Sequence, residues 1–258
     1  MEINRVLDIF PLWALLPITI AILALSIEAG FRVAGYRQKH SRDEPPASVG
    51  PIVAPILGLL AFMLAFTFGM AGSRFEARRQ VVLTEANAIG TTYLRAGLLP
   101  EPMRTEVQGL LRQYVDTRLE GTNQEKLTSA LARSDELLKL LWLQGVAASE
   151  KERTPMTSLF LTSLNQVIEV SATRTMAAIR SRIPGTIWIA LYTVAMIAMG
   201  TVGYSSRLTS PKRSLVLPAL VLVFSVVLVL IADLDRPGQG LVEVNQASMH
   251  DIRKSMAQ

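Results

Sequence analysis

The sequence predicts an all-α membrane protein. Four transmembrane helices stand in a two-plus-two arrangement, with a helical extramembrane bundle between spans two and three. Three observations lead there. Half of the 258 residues are hydrophobic and the mean hydropathy is positive, a balance that soluble domains rarely reach. Four apolar segments contain no Asp, Glu, Lys or Arg, and each has about the length a helix needs to cross a bilayer core. Residues 71–183, between the second and third segments, show helical rather than alternating periodicity.

The first span is "FPLWALLPITIAILALSI", residues 10–27. A cleaved signal peptide would have a shorter apolar core and a more basic start than "MEINR", so the segment is read as a span. The second is "PIVAPILGLLAFMLAFTFGM", residues 51–70, and the third is "PGTIWIALYTVAMIAMGTVGY", residues 184–204. The fourth apolar segment is "LVLPALVLVFSVVLVLIA", residues 215–232, and the helix it forms is bounded at residues 215–234, taking in Asp233 at its end. Residues 235–258 are read as a C-terminal tail.

Charge sets an expected orientation. The segments joining spans one to two and three to four carry Arg32, Arg37, Lys39, Arg42, Arg207, Lys212 and Arg213. Positive-inside counting weights such short loops, which places them in the cytoplasm and the bundle and termini outside. Arg74, Arg78, Arg79, Arg174, Arg180 and Arg182 flank the membrane on the other side and make the bias modest.

Within the bundle, Pro100 and Pro102 break the chain, and Met103, Val107, Leu110, Leu111 and Tyr114 then form one apolar stripe. Gly121 ends that helix. Thr122 with Glu125 gives a capping-box pattern, ahead of a stripe at Leu127, Leu131, Ser134, Leu138 and Leu141. Thr154 and Pro155 open a further helix, whose inner face is Phe160, Leu164, Val167, Ser171, Thr175 and Ala178. Plain helix packing explains these stripes. "RDEPPASVG" is read as a loop.

Nothing between Met70 and Leu99 breaks a helix strongly, since Gly72 and Gly90 only weaken it. Span two is therefore expected to continue out of the membrane as one long helix. At 100° per residue, Glu76, Gln80, Thr84, Asn87 and Thr91 share a polar face, and Phe75, Val82, Ala86, Ile89 and Tyr93 an apolar one. Arg74, Arg78, Glu85 and Thr92 form a third stripe off the polar face. A carboxylate among branched aliphatics needs a partner, and Arg78 is two turns from Glu85, too far for a neighbour pair. The expected partner of Glu85 lies on another helix, such as Arg174, or on another subunit. The structural reading is a buried charge network of Arg74, Arg78, Glu85 and Arg174. The alternatives are a ligand or ion contact near a pore mouth, and a simple exposed face.

The fourth span ends in "IADLDRPGQG". Asp233 and Asp235 at a helix C-terminus face the negative end of the macrodipole and need cations nearby. An interfacial salt-bridge cluster of Arg79, Asp233, Asp235 and Arg236 is expected between the ends of spans two and four. Divalent-ion binding by the two aspartates is a weaker alternative, and no metal site is assigned.

Several classes are excluded. Cysteine is absent, which removes disulfides, thiol chemistry and thiolate metal sites. There is no nucleophile elbow, HExxH, phosphate loop or CxxC, so no catalytic residue and no cofactor are expected, and the protein is read as not an enzyme. His40 and His250 fall in a loop and the tail and are read as solvent-exposed. The net charge of +5 comes without a basic stripe interleaved with aromatics, so nucleic acid is not an expected partner.

Two stretches, "ARRQVVLTEANAIGTTYLRAGLLP" after span two and "DLDRPGQG" after span four, together with the arrangement of spans, resemble an uncharacterised family of bacterial membrane proteins described as bestrophin-like. The resemblance covers nearly the whole chain and implies a multi-pass protein of the bacterial inner membrane. True bestrophins are pentameric anion channels whose second helices line a hydrophobic neck. The resemblance thus implies a homo-oligomer with span two at its axis, the pentamer being by analogy alone. On span two, Phe62 and Phe66 lie one turn apart on one face with Gly58 and Met70 in register, and such apolar rings can gate by dewetting. Ala61, Ala65, Gly69 and Ser73 form an adjacent small-residue row suited to close helix contact. The same pattern also suits a span packed inside one monomer. Bestrophins carry their large helical domain in the cytoplasm, opposite to the side the charge count gives here, and no acidic cluster suits a calcium clasp.

Two functions therefore stand. One is an oligomeric ion channel with a hydrophobic neck at Phe62 and Phe66, and the lack of ionisable residues in the spans disfavours a proton-coupled transporter. The other is a membrane-anchored sensor or scaffold whose bundle binds a ligand or protein partner.

Overall fold

The structure is a computed structural model that describes residues 10–40, 50–123, 126–151, 154–179, 182–210, 214–236, 240–242 and 244–257. Arg42, Glu125, Arg180, Lys212, Arg213 and most of the "RDEPPASVG" loop lie outside them. Among the described residues there are eight helices and no strand. They are α1 (Leu12–His40), α2 (Gly50–Ala96), α3 (Met103–Glu120), α4 (Leu127–Lys151), α5 (Pro155–Ile179), α6 (Gly185–Thr209), α7 (Val216–Asp235) and α8 (Ala247–Ser255). Four of these, α1, α2, α6 and α7, are long and apolar enough to cross a membrane. The chain divides into two compact units, Met1–Ser73 with Arg182–Arg236, and Arg74–Ser181 with Pro237–Gln258.

The first unit is the membrane unit. Its core joins Leu15, Leu23 and Ile27 of α1, Leu60 and Leu64 of α2, Trp188, Leu191 and Met199 of α6, and Val221, Leu228 and Ile231 of α7. Thr19 meets the Tyr192 hydroxyl at 3.0 Å, and further along Gly30 meets Gly200, so α1 and α6 run parallel. Their seam is made by glycine. A Cβ on Gly30 would stand 1.9 Å from the Gly200 carbonyl oxygen, and one on Gly203 would stand 2.1 Å from that of Ile27. No side chain fits there, so the two backbones touch, as small residues allow between membrane helices.

One expectation is corrected here. The joining segment after span one is not all loop, because α1 continues from Ile27 to His40. No proline interrupts it, Gly30 serves the seam, and Arg32 pairs with Glu28 one turn earlier at 2.8 Å. Arg37, Lys39 and His40 occupy the last turn, where the helix C-terminus favours cations.

The second unit is the extramembrane bundle. The outer part of α2 runs on without interruption to Ala96, and α3 starts after Pro102. The buried face of α3 is Val107, Leu111, Tyr114, Val115 and Arg118. Gly121 ends α3 with its N–H donated to the Thr117 carbonyl at 3.1 Å, and the next N–H, of Thr122, goes to the Leu119 carbonyl at 3.2 Å. On α4, Ser134, Leu138 and Leu141 are buried, while Leu127 and Leu131 are partly so. Thr154 caps α5 by accepting from the Thr157 N–H at 3.2 Å. Phe160, Leu164, Val167 and Ser171 are buried on α5, and Thr175 is partly exposed.

The tail is also more than a tail. Helix α8 packs into this unit with Met249 fully buried, and Met256 just beyond it is nearly so. A Cβ on Gly90 would come 2.7 Å from Ile252 Cδ1, so the glycine that weakens α2 as a helix accommodates α8. The Met256 carbonyl accepts from the Tyr93 hydroxyl at 3.2 Å and from Arg112 Nε at 2.9 Å. Arg253 pairs with Asp116 at 2.7 Å. The sequence hides this docking because α8 is polar overall and presents few apolar residues to read.

Candidate functional site

Two places combine unusual chemistry with defined geometry, one in each unit. The first is the outward face of the span-two part of α2. Its inward face, Leu60, Leu64, Thr67 and Ala71, is buried in the membrane unit. Phe62 and Phe66, on the other face, are 69% and 64% exposed in the single chain. The small-residue row beside them, Ala61, Ala65, Gly69 and Ser73, is exposed too. A Cβ added to Gly58, Gly69 or Gly72 would meet nothing within 4 Å. Span two is thus packed within the subunit along one face and exposed in the single chain along the other.

The second place is Glu85, on α2 within the bundle and fully buried. Three side chains from two other helices converge on it. Tyr114 of α3 donates its hydroxyl to Oε1 at 2.7 Å. Arg118, one turn on, donates Nη2 to Oε2 at 3.3 Å and holds Nε 2.9 Å from Oε1. That second contact is an ion pair whose angle falls short of a hydrogen bond. Arg174 of α5 donates Nη1 to Oε2 at 2.5 Å, and its Nη2 reaches Gln246 Oε1 at 3.1 Å. Thr92, on the same stripe, is buried and bonds back to the Ala88 carbonyl at 2.8 Å.

Burial alone would push the Glu85 carboxyl up, but the charges of Arg118 and Arg174, with hydrogen bonds from Arg174 and Tyr114, outweigh it and hold the carboxyl below its ordinary value. The Tyr114 phenol is pushed well up, by burial first and then by the Glu85 charge. The group is therefore a carboxylate, two guanidiniums and a neutral phenol, tied into one network. Glu85 lies in the bundle beside Arg174, one of the four residues of the expected network, and its other described partners are Arg118 and Tyr114. Arg78 is buried and Arg74 partly so, and neither is a described partner of Glu85. Sequence reasoning missed Arg118, although it follows Tyr114 by one turn and so continues the inner stripe of α3.

At the end of α7, Asp233 and Asp235 are buried, as is Arg236. Asp235 accepts from the Ile183 N–H at 2.8 Å and lies 3.9 Å from Arg182 Nε. Arg236 donates Nη1 to the Phe10 carbonyl at 2.9 Å. These bonds tie the end of α7 to the starts of α6 and α1. Arg79 is exposed and its described ion pair is with Glu76, at 3.5 Å, on the solvent side of α2. Among the described residues no group of three or more acidic or histidine side chains gathers to hold a metal ion.

A bestrophin-like domain model matches residues 20–249. The chain belongs to the bestrophin-like family. No curated protein is detectably similar to it in sequence. Solved structures are similar in fold. A single-residue variant of a bacterial bestrophin homologue from Klebsiella pneumoniae superposes with a TM-score of 0.72 at 15% identity, covering 94% of this chain and 96% of the other. Another structure of a bacterial bestrophin homologue from Klebsiella pneumoniae gives 0.66 at 15% identity, with 92% and 96% covered. A variant described only as a membrane protein gives 0.69 at 15% identity, with 92% and 97% covered. At that identity the likeness shows the shared fold. This bestrophin-like chain is a multi-pass membrane protein, its four apolar helices and its family agreeing on that point.

Proposed function

We propose that this protein is an oligomeric ion channel in which span two of each subunit faces a central axis, with Phe62 and Phe66 as the apolar neck. One observation supports this most. The most exposed phenylalanines of the chain lie in its longest apolar helix, on the face away from the subunit's own core. Lipid would also accept phenylalanine, but the adjacent row of Ala61, Ala65, Gly69 and Ser73 suits a second helix better than acyl chains. Membership of the bestrophin-like family supports the same reading. An uncharged neck passes ions by wetting rather than by coordination.

Ion flux through reconstituted liposomes tests it. Phe66→Ala should raise flux several-fold by easing the dewetting barrier. Unchanged flux in a folded mutant removes the assigned gate, and a monomer in detergent removes the pore. Within this proposal the Glu85 network serves the internal order of the bundle, since its members satisfy one another. The short-loop charge bias carries the outside placement of the bundle. Because the chain has no cysteine, a cysteine introduced at the exposed Ala132 reports the side directly. Labelling by an impermeant reagent in intact spheroplasts supports the outside, and protection overturns it.

A further inference from the structure

The end of the membrane unit opposite Asp233 and Asp235 carries a different kind of surface. There α1 leaves the apolar run but stays helical to His40. Leu25, Val33 and Tyr36 are 68%, 55% and 66% exposed. At 100° per residue they fall with Ala29 on one stripe, which faces away from the seam with α6. Over about 16 Å of helix, this stripe passes from a purely aliphatic zone to an aromatic one. Tyr36 stacks on His40 with ring centroids 4.1 Å apart, and the His40 Nδ1 lies 3.0 Å from the Tyr36 carbonyl. Tyrosine at such a transition marks headgroup depth.

Cations flank the aromatic end of the stripe. Arg32 and Lys39 fall on one side of it and Arg37 on the other, all exposed. Because α1 and α6 run parallel, α6 also delivers Arg207 to this end, its guanidinium 5.1 Å from the Phe31 ring centroid. Among the described residues of α1, α6 and the span-two part of α2, Glu28 is the one acid. Helix-dipole compensation explains the cations of the last turn. It does not explain why they border an exposed apolar stripe that continues into the bilayer zone.

We infer that this end of α1 and α6 binds an anionic phospholipid. One acyl chain lies along Leu25, Ala29 and Val33, Tyr36 stands at the interface, and the phosphate is met by Arg37 and Lys39 with Arg32 and Arg207 beside them. A free phosphate would use the cations and leave the stripe idle. A lipid uses both, with long basic side chains reaching the headgroup from apolar stems.

The test is native mass spectrometry of the full chain purified in zwitterionic detergent, offered equal amounts of phosphatidylglycerol and phosphatidylcholine. The wild type should retain phosphatidylglycerol preferentially, and added salt should weaken the preference. Replacing both Arg37 and Lys39 with Gln should reduce it about 25-fold, since each cation near an anionic headgroup contributes about five-fold. Both side chains are exposed, so the melting temperature should not move. Arg37→Lys with Lys39→Arg, which keeps the charge, should keep the preference. A glutamine variant that retains phosphatidylglycerol like the wild type overturns the site. Displacement by an equal concentration of inorganic phosphate overturns the lipid assignment and leaves an ion site only.

Discussion

The two units of this chain solve the problem of holding helices together by different means. In the membrane unit, the seam between α1 and α6 is a matter of shape. Gly30 and Gly203 leave no room for a side chain, and their backbones meet those of Gly200 and Ile27. In the extramembrane bundle, the centre is a matter of charge. Glu85 draws Tyr114, Arg118 and Arg174 from α3 and α5. The difference follows from the solvent each unit faces. Lipid gives apolar helices little reason to associate, so close contact must come from small residues. Water lets the bundle form by apolar burial, and one buried network then fixes which helices meet, provided every charge finds a partner.

The largest expected effect breaks the shape-based unit. Gly203→Leu places a Cβ within 2.1 Å of a backbone oxygen, and backbone cannot yield as a flexible side chain can. The cost should exceed about 4 kcal/mol, seen as failure to purify a monodisperse protein. The matched control is Gly69→Ala on the outward row of span two, where a Cβ meets nothing within 4 Å. It should leave the subunit fold intact, with any effect confined to oligomeric state. If both substitutions are equally tolerated, the seam is not what holds α1 to α6.

Next comes the charge-based unit. Glu85→Ala leaves two guanidiniums buried without their carboxylate and should cost about 3–5 kcal/mol, read as a fall in the melting temperature of detergent-solubilised protein. Tyr114→Phe removes one hydrogen bond to the carboxylate and should cost about 1–2 kcal/mol. Glu85→Ala combined with Arg174→Met should be less damaging than the sum of the single changes, because the second removes a charge that the first stranded.

The pH dependence carries the same distinction. The folded carboxyl of Glu85 is held below its ordinary 4.5, so its contribution is present above that value and is lost as pH falls through the folded one. The folded phenol of Tyr114 is raised above its ordinary 10.0, so its contribution is present below 10.0 and declines as pH rises beyond it. Stability should therefore hold a plateau between these limits, with an alkaline decline that Tyr114→Phe weakens. An acid limb of unchanged depth in Glu85→Gln would locate the titrating group elsewhere.

How much of this was legible in the sequence depended on the kind of interaction. The spans, the long continuation of span two and the isolation of Glu85 among aliphatics all follow from local periodicity, which a sequence displays directly. Arg174 was legible as a cation of the right type on another helix. Arg118 was not singled out, because its role depends on the turn of α3 on which Tyr114 sits. The glycine seam escaped notice for a different reason. Gly30 is far along the chain from Gly200 and Gly203, and their significance arises only from the parallel alignment of α1 and α6. The more regular row at Ala61, Ala65, Gly69 and Ser73 has the clearer pattern, yet it is exposed in the single chain. Helix α8 was hidden by its polarity.

The smallest expected effect marks the edge of the charge-based region. Arg79 stands one residue after Arg78, yet it is 63% exposed and reaches Glu76 at 3.5 Å across solvent. Exposed pairs one turn apart contribute little, because water screens them and two long side chains must be ordered. Arg79→Ala should shift stability by no more than about 0.5 kcal/mol, and added salt should erase the difference. Arg174→Ala in the same background should be several-fold worse and nearly indifferent to salt, since its partner is buried. If Arg79→Ala proves as damaging as Arg174→Ala, burial does not set the value of a charge here, and the division between surface pairs and the Glu85 network fails.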